Sequence, residues 1–315
     1  SYIYVKPGQT PGNVLIEIKS GKIKGNPTLW SWHIWIVDKY PTVLDVASQG
    51  GDGPKTVRLM SHLLGAYERV QSQYSADAYR EFGMQYQWGR KDPFPAHDVR
   101  VNKNFYDGSG KLFDFLWEQR GNDVDYGKTD AQQARGAALT MKQSIEHPNA
   151  IVSHQSFWLY ECFPHRFVSY FKDRWVFLYP WNQPSRTGNP EDVGGKTVFD
   201  PSPYGFRIMS QKEAVTLRSA YYYASRSGLN TPLPGSIYDG SFTDGKSGGN
   251  EVIFAVAQAR SDTHAGRYLL NSTGGPAGWA PTSNTSAVYR RCMTYSVRPV
   301  IDPDVQEDYK KYLPE

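Results

Sequence analysis

Residues 29–37 read Leu-Trp-Ser-Trp-His-Ile-Trp-Ile-Val. Trp30, Trp32, Ile34 and Ile36 alternate with Ser31, His33, Trp35 and Val37, and a period of two is the mark of a β-strand. Towards the end of the run large apolar residues occupy both faces, which predicts a strand covered on both sides. A chain carrying such a strand needs neighbouring strands and a second layer packed on them. Trp30, Trp32 and Trp35 have two readings, a core strand or a stacking platform for a sugar ring. The core reading is preferred, because alternating Trp residues carry a very large apolar area.

The rest of the chain follows the same bias. There are 9 Trp, 22 Tyr and 14 Phe among 315 residues, with 29 Gly and 21 Pro. That mix favours short strands, tight turns and ordered loops over long helices, and it is foreign to disordered chains. Lys+Arg 35 against Asp+Glu 31 leaves a formal charge of +4 with no dense basic run, so no nucleic-acid partner is expected. No apolar stretch approaches the roughly 18–20 residues that cross a bilayer, so no membrane span is expected.

Further strands are predicted at 12–18, 251–257, 267–270 and 293–300. Residues 57–70 read as a short helix or as a strand with a turn. A brief helix is expected at 140–147, stopped by Pro148, and another near 75–83. The best helix signal is 210–220, where Ser210 and Glu213 have the spacing of a capping box. Residues 107–130 and 228–250 are rich in Gly, Asp, Asn, Ser or Pro and read as long loops. No linker or repeat divides the chain, which predicts a single domain over 1–315.

Several segments, in order, resemble a known family. They are Trp30-Ser31-Trp32-His33-Ile34-Trp35, Leu64-Gly65-Ala66, Tyr86-Gln87-Trp88-Gly89-Arg90-Lys91-Asp92-Pro93-Phe94, Ser144-Ile145 up to Pro148, residues 196–207, and Ser296-Val297-Arg298-Pro299-Val300. Together they resemble the Fibrobacter succinogenes major paralogous domain, as found in Bacteroidetes surface proteins that often carry fimbrillin-like regions. The resemblance spans about residues 12–302. It implies an α+β, C-type-lectin-like fold: short twisted antiparallel sheets, first and last strands paired, two short flanking helices and long ordered loops. Residues 1–28 have two readings, part of the single domain or a stretch that includes a strand shared with a preceding domain. The pattern departs at Met60-Ser61-His62-Leu63, where the family has Met-Asp-Arg-Asn. It departs again at Ser202, where the family has Cys, and at Tyr268-Leu269-Leu270-Asn271-Ser272.

The family implies a non-enzymatic binding or adhesion module of the extracellular or outer-membrane surface, in a fimbria-like or lipoprotein assembly. The expected partners are a glycan, an extracellular matrix protein or a fimbrial subunit. Tyr221, Tyr222 and Tyr223 cannot all point inward in a regular element. With Trp279 they make the candidate aromatic contact surface. Asp239 and Asp244, with Asn250 and Glu251, could supply oxygen ligands to Ca2+, although acidic residues in such loops are more often only solvated. Tyr86, Trp88, Arg90 and Asp92 are either a polar-aromatic ligand site or a buried Arg–Asp pair that fixes a turn, and the structural reading is preferred. Cys162 and Cys292 form one disulfide or stay two buried thiols; export favours the disulfide. The sequence holds no His-Glu-x-x-His metalloprotease motif. Paired carboxylates leave no local signature, which keeps open a polysaccharide hydrolase using Asp239 and Glu251, or a purely structural stalk or tip piece pairing through the strand at 12–18.

Overall fold

The computed structural model describes residues 3–6, 8, 10–21, 26–47, 56–69, 80–81, 83–94, 118–120, 141–146, 148, 150–152, 181–184, 193–214, 216, 236–238, 241–243, 251–259, 265–271 and 294–305. Within them the fold is a set of small sheets, nearly all antiparallel, with few helices. β1 (Gly12–Lys19) and β2 (Thr28–Ile36) form a two-stranded ribbon with Gly12 opposite Ile36 and Ile16 opposite Trp32. β3 (Val43–Ala47) pairs with β4 (Thr56–Met60), so 57–70 resolves as a strand and turn.

β4 lies beside β16 (Val300–Ile301), which continues to β10 (Phe206–Arg207), giving the sheet order β10-β16-β4-β3. The second four-stranded sheet runs β14-β13-β15-β5, built from Ala265–Asn271, Glu251–Ala259, Thr294–Ser296 and Gln85–Gln87. In it β13 and β15 are parallel. Smaller pairs are β6 (Glu118–Arg120) with β7 (Ala150–Val152), in parallel, β8 (Asn182–Pro184) with β9 (Val193–Lys196), and β11 (Ser236–Tyr238) with β12 (Ser241–Thr243).

The core lies where β3, β4 and β16 meet the strand β13 and the start of the 210 helix. Val46, Val57, Leu59, Leu63, Ala66, Met209, Ala214, Val256 and Val300 are all buried together. A second cluster holds Met60, Phe206 and Ile301, with Trp35, Tyr40 and Val43 packed against it.

Several expectations change here. The early strand expected to meet the last one pairs with β2 instead, since only eight residues separate the two and a hairpin closes at far lower entropic cost. The final strand expected over 293–300 is two strands, β15 and β16. Pro299, which has no N–H, falls between them and accepts from Met60 N through its carbonyl (2.8 Å). The supposed loop 107–130 contains β6, and the supposed loop 228–250 contains the β11–β12 hairpin. The brief helix is α1, Met141–Glu146, packed near β2. Residues 211–214 are helical. Of the helix expected at 75–83, only Arg80, Glu81 and Gly83 are described.

Candidate functional site

The capping box at Ser210 forms as its spacing predicts. Glu213 N donates to Ser210 Oγ (3.1 Å), and Ser210 N donates to Glu213 Oε2 (2.7 Å). The sequence does not announce the next partner. Arg207, buried at the end of β10, donates from both terminal nitrogens to Glu213 (2.8 and 2.9 Å). Burial, the largest single influence, would lower the Arg207 pKa, but the carboxylates of Glu213, Asp302 and Asp200 together outweigh it and raise it. Asp200, just upstream, accepts from Ser202 N and Ile208 N (both 2.8 Å) and so fastens the Asp-Pro-Ser-Pro turn to β10. Its carboxyl is raised by burial, with Lys196 and the two N–H donors opposing.

The turn after β5 is the second polar centre. Gln87-Trp88-Gly89-Arg90 closes with Arg90 N donating to Gln87 O (3.0 Å), and Gly89 sits at φ 84°, the value a type II turn demands of its third residue. Trp88 and Trp181 are fully buried with ring centroids 6.2 Å apart. The indole of Trp88 donates to Ala257 O, and that of Trp181 donates to Arg90 O. Arg90 is 1 % exposed, lies 4.8 Å over the Phe94 ring, and donates to Gln87 Oε1 (3.1 Å) and Pro148 O (2.9 Å). Burial draws its pKa down to about 10, against the pull of Asp92.

The direct salt bridge of Asp92 is to Lys91, its own neighbour. Lys91 Nζ meets Asp92 Oδ1 at 2.7 Å and donates to Ser31 O (2.9 Å) and to the Ser31 hydroxyl. Ser31 Oγ donates in turn to Asp92 Oδ1 (2.6 Å). The ammonium also lies 4.6 Å over the Trp30 ring. Burial lowers the Lys91 pKa and Asp92 opposes the shift. Tyr86, Trp88, Arg90 and Asp92 are therefore architecture: they tie the turn to β2 and to Pro148.

A third chain of hydrogen bonds joins the ribbon to the body. Asn13 Nδ2 donates to Gly65 O (2.8 Å), which leaves Asn13 Oδ1 to accept from His33 Nε2 (2.8 Å). His33 Nδ1 then accepts from the Tyr86 hydroxyl (2.9 Å). The network fixes a neutral ring with its proton on Nε2. Burial lowers the His33 pKa to about 4, and it raises that of Tyr86, with Asp92 and Asp200 adding to the rise. His62 is also held at about 4, by burial and then by the positive charges of Arg298 and Arg69.

The three tryptophans of β2 divide. Trp35 is half-buried and its indole donates to Ala66 O (3.0 Å); Trp30 is half-buried against Lys91 and Phe199. Trp32 is 37 % exposed. The face expected to be the more polar, that of Ser31 and His33, is the inner one, because Lys91, Asp92, Asn13 and Tyr86 are there to satisfy it. The outer face pairs Val14 with Ile34, Ile16 with Trp32 and Ile18 with Trp30. On it Val14 is 48 % and Ile18 44 % exposed.

The candidate aromatic residues Tyr221, Tyr222, Tyr223 and Trp279, the carboxylates Asp239 and Asp244 with Asn250, and both cysteines lie outside the described residues. Glu251 opens β13 opposite Asn271. Among the described residues no three His, Cys, Asp or Glu side chains group as metal ligands, and no helix is long and apolar enough to cross a membrane. The chain matches no protein-family model, no curated protein and no solved structure.

Proposed function

We infer that the chain is a non-enzymatic binding or adhesion module of a bacterial surface, with a C-type-lectin-like arrangement in which a pinned scaffold holds variable loops. The observation that carries this reading is where the scaffold's charges go. Lys91, Asp92, Arg90, Arg207 and Asp200 are buried and bonded to turn backbone, to Ser31 or to Glu213. Charges used this way hold loop bases in one conformation, which lowers the ordering cost of a loop that must bind. The meeting of β4 with β16, which joins residues near 60 to residues near 300, supports the lectin-like arrangement. The motif resemblance supports the surface location and the partner classes: glycan, matrix protein or partner subunit.

The test is binding of the purified chain to glycan and matrix-protein arrays, with calcium and with EDTA. Specific binding lost in EDTA supports a calcium site using Asp239 and Asp244. Binding indifferent to EDTA supports the aromatic surface of Tyr221–Tyr223 and Trp279. A chain that binds nothing on either array overturns the adhesion reading. The second reading, a structural subunit of a fimbria-like assembly, is favoured by one separate feature, the exposed apolar face of β1–β2.

A further inference from the structure

Among the described residues nine large apolar side chains are exposed, and seven of them fall between residues 3 and 32: Ile3, Tyr4, Val5, Val14, Ile18, Leu29 and Trp32. Three of these, Val14, Ile18 and Trp32, share the outer face of the β1–β2 ribbon. Two-stranded ribbons are marginal alone. Among the described residues β1 has one strand neighbour, β2, and its other edge is open. An open edge bearing β-branched residues is a template for another strand.

The sequence of β1 suggests which strand. We propose that β1 pairs antiparallel with β1 of a second copy, in a register centred on Ile16, which makes a continuous four-stranded sheet across a two-fold axis. In that register residues whose numbers sum to 32 face each other. Ile16 meets the partner's Ile16, and Val14 meets the partner's Ile18, so Val14, Ile16 and Ile18 each meet a β-branched residue. On the other face Glu17 meets the partner's Leu15 and Lys19 meets the partner's Asn13. No like charges stand opposite, and the Glu17–Lys19 ion pair at 2.8 Å is left intact in each copy. Shifting the sum to 34 would bring Glu17 opposite Glu17, which the charge pattern rejects, and shifting it to 30 would set Ile18 opposite Gly12 and lose a cross-strand apolar pair. This inference rests on the subunit-pairing reading and narrows it to a homotypic contact.

The experiment has three arms on the full chain. Sedimentation from about 1 to 100 µM should show a monomer–dimer equilibrium, within the range expected of a modest interface. Ile16→Cys should form a covalent dimer on mild oxidation much faster than Val14→Cys, whose thiols would lie about four residues apart along the paired strands. The double variant V14K/I18K places Lys against Lys twice and should be monomeric, whereas V14K/I18E places Lys against Glu and should still dimerise. A wild-type monomer at 100 µM, equal cross-linking at both positions, or the same state for both double variants overturns the proposal. Should a double variant fail to fold, as judged by circular dichroism, the Cys comparison still decides. Amide exchange in β1 separates this failure from that of the wider reading. Fast-exchanging β1 amides in a monomer leave an open edge for a different subunit, and protected ones reject subunit pairing through β1 altogether.

Discussion

The turn over residues 87–94 and the β1–β2 ribbon are inverted copies of the usual rule for where residues go. The turn puts Arg90, Lys91 and Asp92 at 8 % exposure or less. The ribbon leaves Val14, Ile18 and Trp32 at 37 % or more. Both departures touch at β2, where Ser31 is buried and its neighbour Trp32 is not. The turn can bury charge because each group finds a partner: Asp92 for Lys91, Pro148 O and Gln87 for Arg90. Among the described residues the ribbon has no such internal answer at Val14, Ile18 and Trp32 on its outer face. Buried charge in this molecule organises the fold, and exposed apolar surface points outside it.

The largest expected effect breaks the turn's half of the comparison. Asp92→Ala leaves the Lys91 ammonium in the interior without its counter-charge and should cost about 3–5 kcal/mol in urea unfolding. Replacing the pair together, Lys91→Met with Asp92→Leu, should cost much less, since an apolar pair of similar volume asks for no compensation. If the double variant is as unstable as the single one, the pair's role is in placing Ser31 and β2 and not in mutual neutralisation.

Acid probes the link between the two regions. His33 and His62 titrate at about 4 in the fold, against an ordinary value of 6.5. The unfolded rings take up protons first as the pH falls. Their contribution to stability is therefore complete above about pH 6.5 and is lost as the pH drops towards 4. The ceiling is about 3 kcal/mol for each ring, at 1.36 kcal/mol per pH unit. Asp200, whose carboxyl is raised by burial, works in the opposite direction near its own titration. Thermal midpoints measured from pH 7.5 to 4.5 should fall in the wild type and fall less in a His33→Asn/His62→Gln variant. An unchanged slope would mean that neither ring is held neutral.

Gly65 sharpens the comparison, because the ribbon's Asn13 reaches the body there. Its φ is 86°, and an added Cβ would approach Met84 N to 2.9 Å. Gly65→Ala should cost about 1–3 kcal/mol from the strained backbone, read by the same urea titration. At the other end of the scale, Val14→Thr on the half-exposed outer face should change monomer stability by no more than about 0.5 kcal/mol. A large loss there would show that the face is covered within its own chain.

What the sequence made legible was what local periodicity and local chemistry decide. The alternation in 29–37 specified a strand, and Ser210 with Glu213 specified the helix start to the residue. The sense of β2 was not legible. Alternation alone does not say which face turns inward, and the partners that draw Ser31 and His33 in, Tyr86, Lys91 and Asp92, lie 53 to 61 residues away. Arg207 holding Glu213 is short-range in sequence, yet it depends on β10 aiming the guanidinium at the helix start. The β11–β12 hairpin was hidden by its Gly- and Ser-rich surroundings, although Asp239-Gly240 between the strands is a favoured two-residue hairpin connection.

The pairing of β4 with β16 has a mechanical meaning. Leu59 stands opposite Val300, and Met60 N and Leu64 N bond to Pro299 O and Val297 O at 2.8 Å each. Asp302 N also bonds to Gly205 O at 2.9 Å. A tensile load entering before residue 59 and leaving after residue 302 would cross directly through these bonds, short-circuiting some 240 intervening residues. The chain between these two strands would lie outside the load path until those bonds broke. A grip placed there would keep its shape until the β4–β16 clasp itself gave way.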